Sequence, residues 1–396
     1  MIMSEIIIAG IGQTAVGEHW DESLRALAVQ AIQAAIQDSG GLRPQALYVG
    51  NMLAPNLSRQ THLGALLADC AGLRQDDSDQ RTGIEAVTVE AGGASGGAAL
   101  RQGYLAVASG LVDIVLVVGV EKFTDVIGSE LESALATQTE ADSESIHGLT
   151  LTAQAALLAR RYMLENHVPA DGLAGFPLTA HANGAGNKNA MYRKPVALKA
   201  YQQAEPVCDP LNLYDMAPNA DGAAALILTR RELLPKDFPH PVVRLAASTI
   251  ASDTLALAER RDPLWFSAAQ ASVEKAFQVS GVSRKKVDLF EYYDAFSIFS
   301  ALSLEAAGFA KRGKGWEMAR DATIGITGSI PCATMGGLKA RGNPGGATGV
   351  YQAVEATLQL RGQAGANQVP KAHYALIQSL GGPASIAVTH LLENLA

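Results

Sequence analysis

The 396-residue sequence has few of the features that mark secreted or membrane-spanning proteins. Its three cysteines, Cys70, Cys208 and Cys332, are odd in number and widely spaced. This argues against a disulfide framework or a metal site and favours a reducing, cytoplasmic location. There is no apolar run of the ~18 residues that a membrane-spanning helix needs. The N-terminal stretch "MIMSEIIIAGIG" has no basic region before its apolar run, so it predicts a first strand and not a signal peptide.

Charged residues are also scarce, and the negative net charge does not suit binding to nucleic acids or anionic membrane surfaces. Charged residues make up 18% of the chain, and the formal net charge is -8. Because nucleic acids and membrane surfaces are bound through basic faces, neither is expected as a partner, and an acidic substrate would need a local basic pocket. Hydrophobic residues make up 48%, which permits a large core, and the length suggests two to three domain-sized units.

Strand-like runs alternate with helix-like runs, as in βαβ units built on a parallel sheet. In the helix-like runs the apolar residues recur at helical spacing, and glycines follow at their ends. A glycine-rich turn at 92–97, inside "VTVEAGGASGGAAL", opens one helix that ends near Gly110. The other predicted elements of the first 121 residues are strands at 5–12, 46–53 and 113–121 and helices at 22–40 and about 60–72.

Five short matches in the same order predict an internal duplication. The halves are expected at 1–120 with 218–233, and at 240–396; residues 121–217 have no counterpart and predict an insertion. The inserted part contains a predicted helix at about 150–164 and a polar stretch at 181–194. The clearest matches are "AIQDSG" (35–40) with "AFQVSG" (276–281), "GGA" at 96–98 with "GGA" at 345–347, and "AAALILTRREL" (223–233) with "SIAVTHLLENL" (385–395).

Seven segments carry a recognisable pattern: "RQTHLGALLAD" (59–69), "VEAGGASGGAAL" (89–100), "HGLT" (147–150), "LYDMAPNADGAAALIL" (213–228), "YYDAFS" (292–297), "GGLKARGNPGGATGVYQ" (336–352) and "SLGG" (379–382). They resemble the thiolase superfamily, in particular its sterol-carrier-protein-type and archaeal acetyl-CoA acetyltransferase-like branch. The resemblance implies an α/β thiolase fold in which duplicated βαβαβ-type halves form a five-layered αβαβα arrangement. It also implies a homodimer or tetramer that makes or breaks C–C bonds in acyl-CoA thioesters.

The chain departs from the family pattern at each catalytic position. The family places a cysteine nucleophile where this chain has Gly93 and an activating histidine where it has Asn343. The residue before "DAF" is Tyr293 instead of histidine, and Ser379 stands where some relatives have a second cysteine. Because glycine cannot form an acyl-enzyme, losing the nucleophile costs on the order of 10⁶ in rate. Ordinary thiolase chemistry is therefore not expected.

The hydrogen-bond donors that remain at these positions still suggest a site that binds an enolate. The backbone N–H groups of Gly93 and Gly382 are candidate oxyanion donors, and Asn343 and Tyr293 are candidate side-chain donors. Tyr293 is also a candidate acid or base, and Asp294 is the acidic neighbour that the "DAF" motif supplies. The alternative is that Tyr293 and Asn343 only fill the space left by the histidines, and that Ser379 packs or donates a hydrogen bond.

Four further residues are candidates for binding the substrate. The resemblance places His147 beside the pantetheine arm, and a basic group in the insertion is positioned to hold the 3′-phosphate of coenzyme A. The alternatives are a structural loop histidine and a solvated surface. The basic group consists of Lys188, Arg193 and Lys194. No metal and no cofactor other than the coenzyme A thioester as substrate are expected.

Two functions of different classes follow. The first is a thiolase-family acyltransferase or C–C lyase that works on a CoA thioester without a cysteine. The second is a non-catalytic acyl-CoA-binding subunit that pairs with an OB-fold protein of the DUF35 type or with an active thiolase. In either case a homodimer is expected, with "DIVLVVGVE" (113–121) and its surroundings supplying an edge for pairing.

Overall fold

The structure is a computed structural model, and it describes residues 5–73 and 83–395. Parts of the predicted halves that fall on residues 1–4, 74–82 and 396 lie outside the described residues. In the described part of the chain, no helix is long and apolar enough to cross a membrane.

Strands and helices alternate in both the N-terminal and the C-terminal part of the described chain, as predicted. The strands are β1 (Ile6–Gln13), β2 (Ala46–Gly50), β3 (Glu85–Val89), β4 (Ile114–Glu121), β5 (Pro206–Cys208), β6 (Leu211–Asn212), β7 (Gly222–Arg230), β8 (Val243–Ser252), β9 (Leu289–Glu291), β10 (Tyr374–Gly381) and β11 (Ile386–Asn394). The α-helices are α1 (Leu24–Asp38), α2 (Ala54–Leu57), α3 (Leu63–Cys70), α4 (Ser95–Ser109), α5 (Ser129–Ala136), α6 (Leu151–Glu165), α7 (Gly175–Gly184), α8 (Leu198–Gln202), α9 (Ser267–Ser280), α10 (Ser297–Ala306), α11 (Gly315–Arg320) and α12 (Thr348–Leu360).

The strand pairing of the first half is repeated in the second. In the order β3-β2-β4-β7-β1, strand β2 is parallel to both neighbours and β7 is antiparallel to β4 and β1. In the order β9-β10-β11-β8, strand β9 is parallel to β10, and β11 is antiparallel to β10 and β8. Two antiparallel register pairs between β1 and β8 join the two halves. The predicted duplicated α/β fold is thus confirmed, while the residue boundaries of the halves and the insertion stay a prediction.

The helices complete five layers. Helix α1 packs on β1 and β7 at one outer face, and α9 packs on β8 and β11 at the other. Helices α4 and α12 contact each other and strands of both halves, so they form the central layer. This is the αβαβα arrangement that the resemblance implied.

Glycines allow α4 and α12 to approach closely in this central layer. A Cβ on Gly96 would lie 2.8 Å from the carbonyl oxygen of Gly346, and a Cβ on Gly349 would lie 2.2 Å from the Gly97 nitrogen. Larger residues would therefore separate the two helix N-termini. The repeated "GGA" motif reflects this contact between backbones.

The predicted role of β4 as a pairing edge is wrong. Strand β4 lies between β2 and β7 and is hydrogen-bonded to both along its length. Its continuous apolar run is what a strand covered on both faces requires. Among the described strands, β3 ends the sheet on this side, and it is mostly exposed, including Val87.

Candidate active site

The glycine-rich turn places Gly93 at the N-terminus of α4. Gly92 adopts a positive φ of 56°, and helix α4 begins two residues after Gly93, without a side-chain cap. Ser95 ties the turn together, because its hydroxyl donates to the Gly92 carbonyl and accepts from the Ala91 N–H. This serine is therefore a turn residue, and the helix N-terminus points toward the segment around Tyr293.

The phenol of Tyr293 fills the space that a side chain at position 93 would occupy. A Cβ built on Gly93 would lie 2.2 Å from the Tyr293 Oη and 2.8 Å from the Leu380 carbonyl oxygen. Both distances are well below van der Waals contact. In this structure a cysteine at 93 and a tyrosine at 293 exclude each other, although the two positions are 200 residues apart in the sequence.

Asn343 lies next to Tyr293. Its side chain lowers the pKa of the phenol, while its Oδ1 accepts from the Gly345 N–H at 3.2 Å and from the Thr348 hydroxyl at 3.3 Å. Because a donor lowers the pKa of a phenol and the amide oxygen cannot donate, the amide nitrogen is the group that acts on Tyr293. The structure therefore brings together three of the predicted site residues, Gly93, Tyr293 and Asn343.

Tyr293 is protonated at neutral pH. Burial and the neighbouring Asp294 carboxylate raise the pKa of the phenol well above its ordinary value, and the Asn343 side chain only partly opposes this. A protonated phenol donates a hydrogen bond or a proton. The electrostatics of the site thus favour Tyr293 as an acid over Tyr293 as a base.

Asp294 is held by backbone N–H groups. Its carboxylate accepts from the N–H groups of Leu338 at 2.7 Å and Lys339 at 3.4 Å, at the start of the helical turn Gly337–Arg341. Burial raises the pKa of this carboxyl, with Lys339 opposing. Its visible contacts hold the segment that leads to Asn343, and a catalytic role for it stays a prediction.

A residue that the sequence analysis missed, Gln138, lies over both predicted oxyanion donors. Its Oε1 accepts from the Gly93 N–H at 3.0 Å. Its backbone oxygen lies 3.3 Å from where a Cβ on Gly382 would be, and Gly382 itself has a positive φ of 54°. The Gly93 donor is therefore occupied by the protein itself. No motif surrounds Gln138, so only the fold could reveal it.

Ser379 lies away from this cluster. It is on β10, is 1% exposed, and its Oγ is 2.2 Å from where a Cβ on Gly97 would be. Within the described residues its hydroxyl has no hydrogen-bond partner. Its position supports packing against α4, and a catalytic role stays a prediction.

A groove of about 1160 Å³ opens beside the Tyr293–Asn343 pair. Pro218 and Asn219 line it and connect it to the site, because the Pro218 carbonyl accepts from the Asn343 N–H at 2.9 Å. Of the predicted substrate-binding residues, Arg193 and Lys194 line the groove. Exposed Lys188 and His147 are not among its lining residues.

Two basic residues of the groove were not predicted. Lys339 is 1% exposed and donates to the Asp215 carbonyl at 2.6 Å, and burial lowers its pKa to about 8. His181 stacks on Tyr192 with 5.9 Å between ring centroids. Burial, together with Lys339, lowers the pKa of this histidine, so it is neutral at physiological pH. "GGLKARG" carried the resemblance but gave no sign that its lysine faces a groove.

Two copies of one α/β unit, with a glycine-rich helix start facing a buried phenol, characterise the architecture of this chain. The chain belongs to the thiolase family. The "Thiolase, N-terminal domain" model matches residues 6–232, and the "Thiolase C-terminal domain-like" model matches residues 249–394.

Individual proteins agree with this assignment. An acetyl-CoA acetyltransferase of Methanothermobacter thermautotrophicus is 39% identical over 394 residues, covering 99% of this chain and all of the relative. The benzoylsuccinyl-CoA thiolase subunit BbsB of Thauera aromatica is 28% identical, covering 96% of this chain and 95% of the relative.

Solved structures share the fold along the whole chain. The Ltp2-ChsH2(DUF35) aldolase matches with a TM-score of 0.83 at 23% identity, covering 100% of this chain and 99% of that one. An acetyl-CoA acetyltransferase of Syntrophomonas wolfei matches with a TM-score of 0.74 at 16% identity and covers both chains fully.

Proposed function

We propose that this thiolase-family protein acts on acyl-CoA thioesters, forming or cleaving a C–C bond without an acyl-enzyme intermediate. The observation that carries the proposal is the Tyr293 Oη, which takes the place of a side chain at position 93. A phenol held at a helix N-terminus replaces a thiol there. The site therefore retains hydrogen-bond donors for an oxyanion and has no covalent nucleophile on α4.

Retro-aldol cleavage of a 3-hydroxyacyl-CoA fits this set of groups. Water takes the proton of the C3 hydroxyl, the C3=O bond forms as the C2–C3 bond breaks, and the electron pair of that broken bond moves onto the thioester as an enolate. C2 then takes a proton back from water, giving a shorter acyl-CoA and an aldehyde or ketone. Tyr293 and Asn343 donate to the enolate oxygen, and stabilisation of that charge is the largest contribution such donors make. No thiol acceptor is required, in contrast to cleavage of a 3-ketoacyl-CoA.

The groove beside the pair supports binding of the coenzyme A portion. Arg193 and Lys194 provide positive charge at its rim, and Lys339 provides a buried amine. A phosphate-bearing ligand would interact with these groups in a chain whose net charge is otherwise -8. The thioester end would then lie toward Asn219 and Asn343.

The test is product analysis by mass spectrometry after incubation with 3-hydroxyacyl-CoA and 3-ketoacyl-CoA thioesters. We expect shorter acyl-CoA from the hydroxy series, no acyl-enzyme adduct, and a rate that falls about 10²- to 10⁴-fold in Tyr293→Phe. The matched control is Tyr162→Phe, which removes another buried phenol, bonded to Glu305. An equal loss in both variants, or an acyl adduct on the protein, would refute the proposal.

The second candidate is an acyl-CoA-binding subunit that requires a partner. Its support is the occupied Gly93 donor and the shared fold with the Ltp2-ChsH2(DUF35) aldolase. It predicts saturable acyl-CoA binding without turnover in the isolated chain. Addition of a DUF35-type OB-fold protein, or of an active thiolase, should then produce a stable complex in size-exclusion chromatography and restore activity.

A homodimer and a cytoplasmic location belong to the same proposal. The exposed edge strand β3 is the surface that supports pairing, and the three cysteines are free, which suits a reducing compartment. Val87→Lys, on this edge, should shift the sedimentation coefficient from dimer to monomer. A dimer unaffected by this change would place the interface elsewhere.

A further inference from the structure

A second pocket, of about 560 Å³, lies beside the turn that follows β10, because its lining residue Arg260 donates to the Pro383 carbonyl in that turn. The loop after β8, the start of α9 and the loop after α10 enclose it. Its lining is unusually rich in arginine for a chain with 18% charged residues. The lining residues are Asp253, Arg260, Arg261, Asp262, Trp265, Ser267, Gln270 and Arg312.

Arg260 is the buried cation of this pocket. It is 6% exposed, and its two described hydrogen bonds go to backbone carbonyls, from Nε to Thr254 at 2.8 Å and from Nη1 to Pro383 at 2.5 Å. Its remaining nitrogen, Nη2, is buried and has no hydrogen-bond partner among the described residues. A buried charged donor that has no acceptor is unfavourable, because the hydrogen bond it made with water is lost and not replaced. The Nη2 atom of this guanidinium therefore lacks a hydrogen-bond acceptor within the described residues.

The nearby carboxylates do not meet this requirement. Asp262 is paired with Arg312 at 2.5 Å, and Asp253 accepts from the Thr254 N–H at 2.8 Å. Glu144, the other acidic group close enough to act on Arg260, accepts from the N–H groups of Leu257 and Glu140. A negative group entering the pocket would thus meet a buried guanidinium without a carboxylate partner.

Two other features of the pocket suit an anion. Arg261 is an exposed lining residue and adds a second guanidinium. The pocket also contains the N-terminus of α9, a helix of 14 residues whose N-cap, Phe266, offers no side-chain hydrogen bond. The positive end of the helix dipole therefore adds to the two guanidinium groups.

We propose that this pocket binds the anionic group of a small ligand, a carboxylate or a phosphate, through Arg260, Arg261 and the N-terminus of α9. Arg260 also holds the carbonyl of Pro383, the residue after Gly382. The pocket is consequently tied to the turn that carries one candidate oxyanion donor. The anionic group has two sources: a free anion such as phosphate, or the terminal carboxylate of an acyl chain whose thioester lies at the Tyr293 site.

The first arm of the test uses inorganic phosphate alone and does not depend on the proposed function. Isothermal titration at constant ionic strength should show saturable binding that weakens at least tenfold in Arg261→Gln and in Arg260→Lys. The control is Arg320→Gln, which alters an exposed arginine that lies over Trp316 much as Arg312 lies over Trp265. It should leave binding unchanged.

The second arm rests on the proposed function and compares succinyl-CoA with butyryl-CoA, which differ in the terminal carboxylate. If the acyl chain supplies the anion, succinyl-CoA binds at least tenfold more tightly, and Arg261→Gln removes the difference. If a free anion is the ligand, phosphate binds and the two thioesters bind equally. No saturable phosphate binding together with equal thioester affinities, or an equal loss in Arg320→Gln, would overturn the inference. Failure of both thioesters to bind, with phosphate bound, would count against the proposed function alone.

Discussion

Restoring a side chain at position 93 provides the sharpest test of how this site is built. Gly93→Ala adds a single Cβ, which the structure places 2.2 Å from the Tyr293 Oη and 2.8 Å from the Leu380 carbonyl oxygen. The backbone oxygen cannot rotate away, and the phenol is buried. Overpacking of this kind costs typically ~1–3 kcal/mol, and with two contacts at these distances we expect about 3 kcal/mol.

The assay is a double-mutant cycle read by urea denaturation, followed by near-UV circular dichroism. Gly93→Ala is measured alone, Tyr293→Ala alone, and both together. Because the second change removes the phenol, the cost of adding the Cβ should fall to the part due to Leu380. We expect a coupling free energy of about 2 kcal/mol, within the range seen for residues in contact. Gly17→Ala is the control, since a Cβ there meets nothing within 4 Å.

An equal cost of Gly93→Ala in both backgrounds would refute the reasoning, because it would mean that the phenol does not occupy the space at position 93. The same double-mutant cycle can be measured with cysteine instead of alanine at position 93. Gly93→Cys should be tolerated only when Tyr293 is shortened at the same time.

Three further predictions follow. Burial lowers the pKa of His390 from its ordinary value near 6.5 to about 3, so between these two pH values the unfolded chain binds more protons than the folded chain. The free energy of unfolding should therefore fall as the pH drops through this window, by at most about 5 kcal/mol. In urea titrations, His390→Gln should show a weaker loss of stability at acid pH. Gln138→Ala should free the Gly93 N–H and tighten binding of a 3-ketoacyl-CoA enolate by about tenfold, worth ~1.4 kcal/mol, as measured by its ultraviolet absorbance; unchanged binding would remove Gln138 from the site. A maleimide should label exposed Cys70 within minutes and leave Cys332, which is 0% exposed, unlabelled; turnover that survives labelling supports a site without a thiol, and loss of turnover contradicts it.

The sequence predicted the parts of the fold that depend on local pattern. Apolar runs and glycine punctuation indicated α1, α4 and β4 to within two or three residues, and short repeated motifs indicated the duplication. Strand order depends on contacts between distant segments. For that reason β4, a strongly apolar run, was expected at an edge but lies in the interior of the sheet, while the short and mostly exposed β3 forms the edge on that side.

Some residues of the candidate site could likewise be predicted from local motifs, and others could not. Gly93, Tyr293 and Asn343 were found because each interrupts a recognisable motif, and the structure brings them together. Gln138 and Arg260 interrupt no motif. Gln138 matters because it accepts from the Gly93 N–H, a predicted oxyanion donor. Arg260 matters because its buried Nη2 has no hydrogen-bond partner among the described residues. Such residues are found by following buried polar groups to their partners.

The contact between positions 93 and 293 changes how the replaced residues are understood. Taken one at a time, glycine for cysteine and tyrosine for histidine each look like the loss of a function. Taken together, they fit one another, because the phenol occupies the space that a side chain at position 93 would need. A side chain lost without replacement would leave a cavity, which destabilises a buried region. Here the phenol fills that space, and this contact supports the proposed function, in which a protonated phenol acts in place of a thiol.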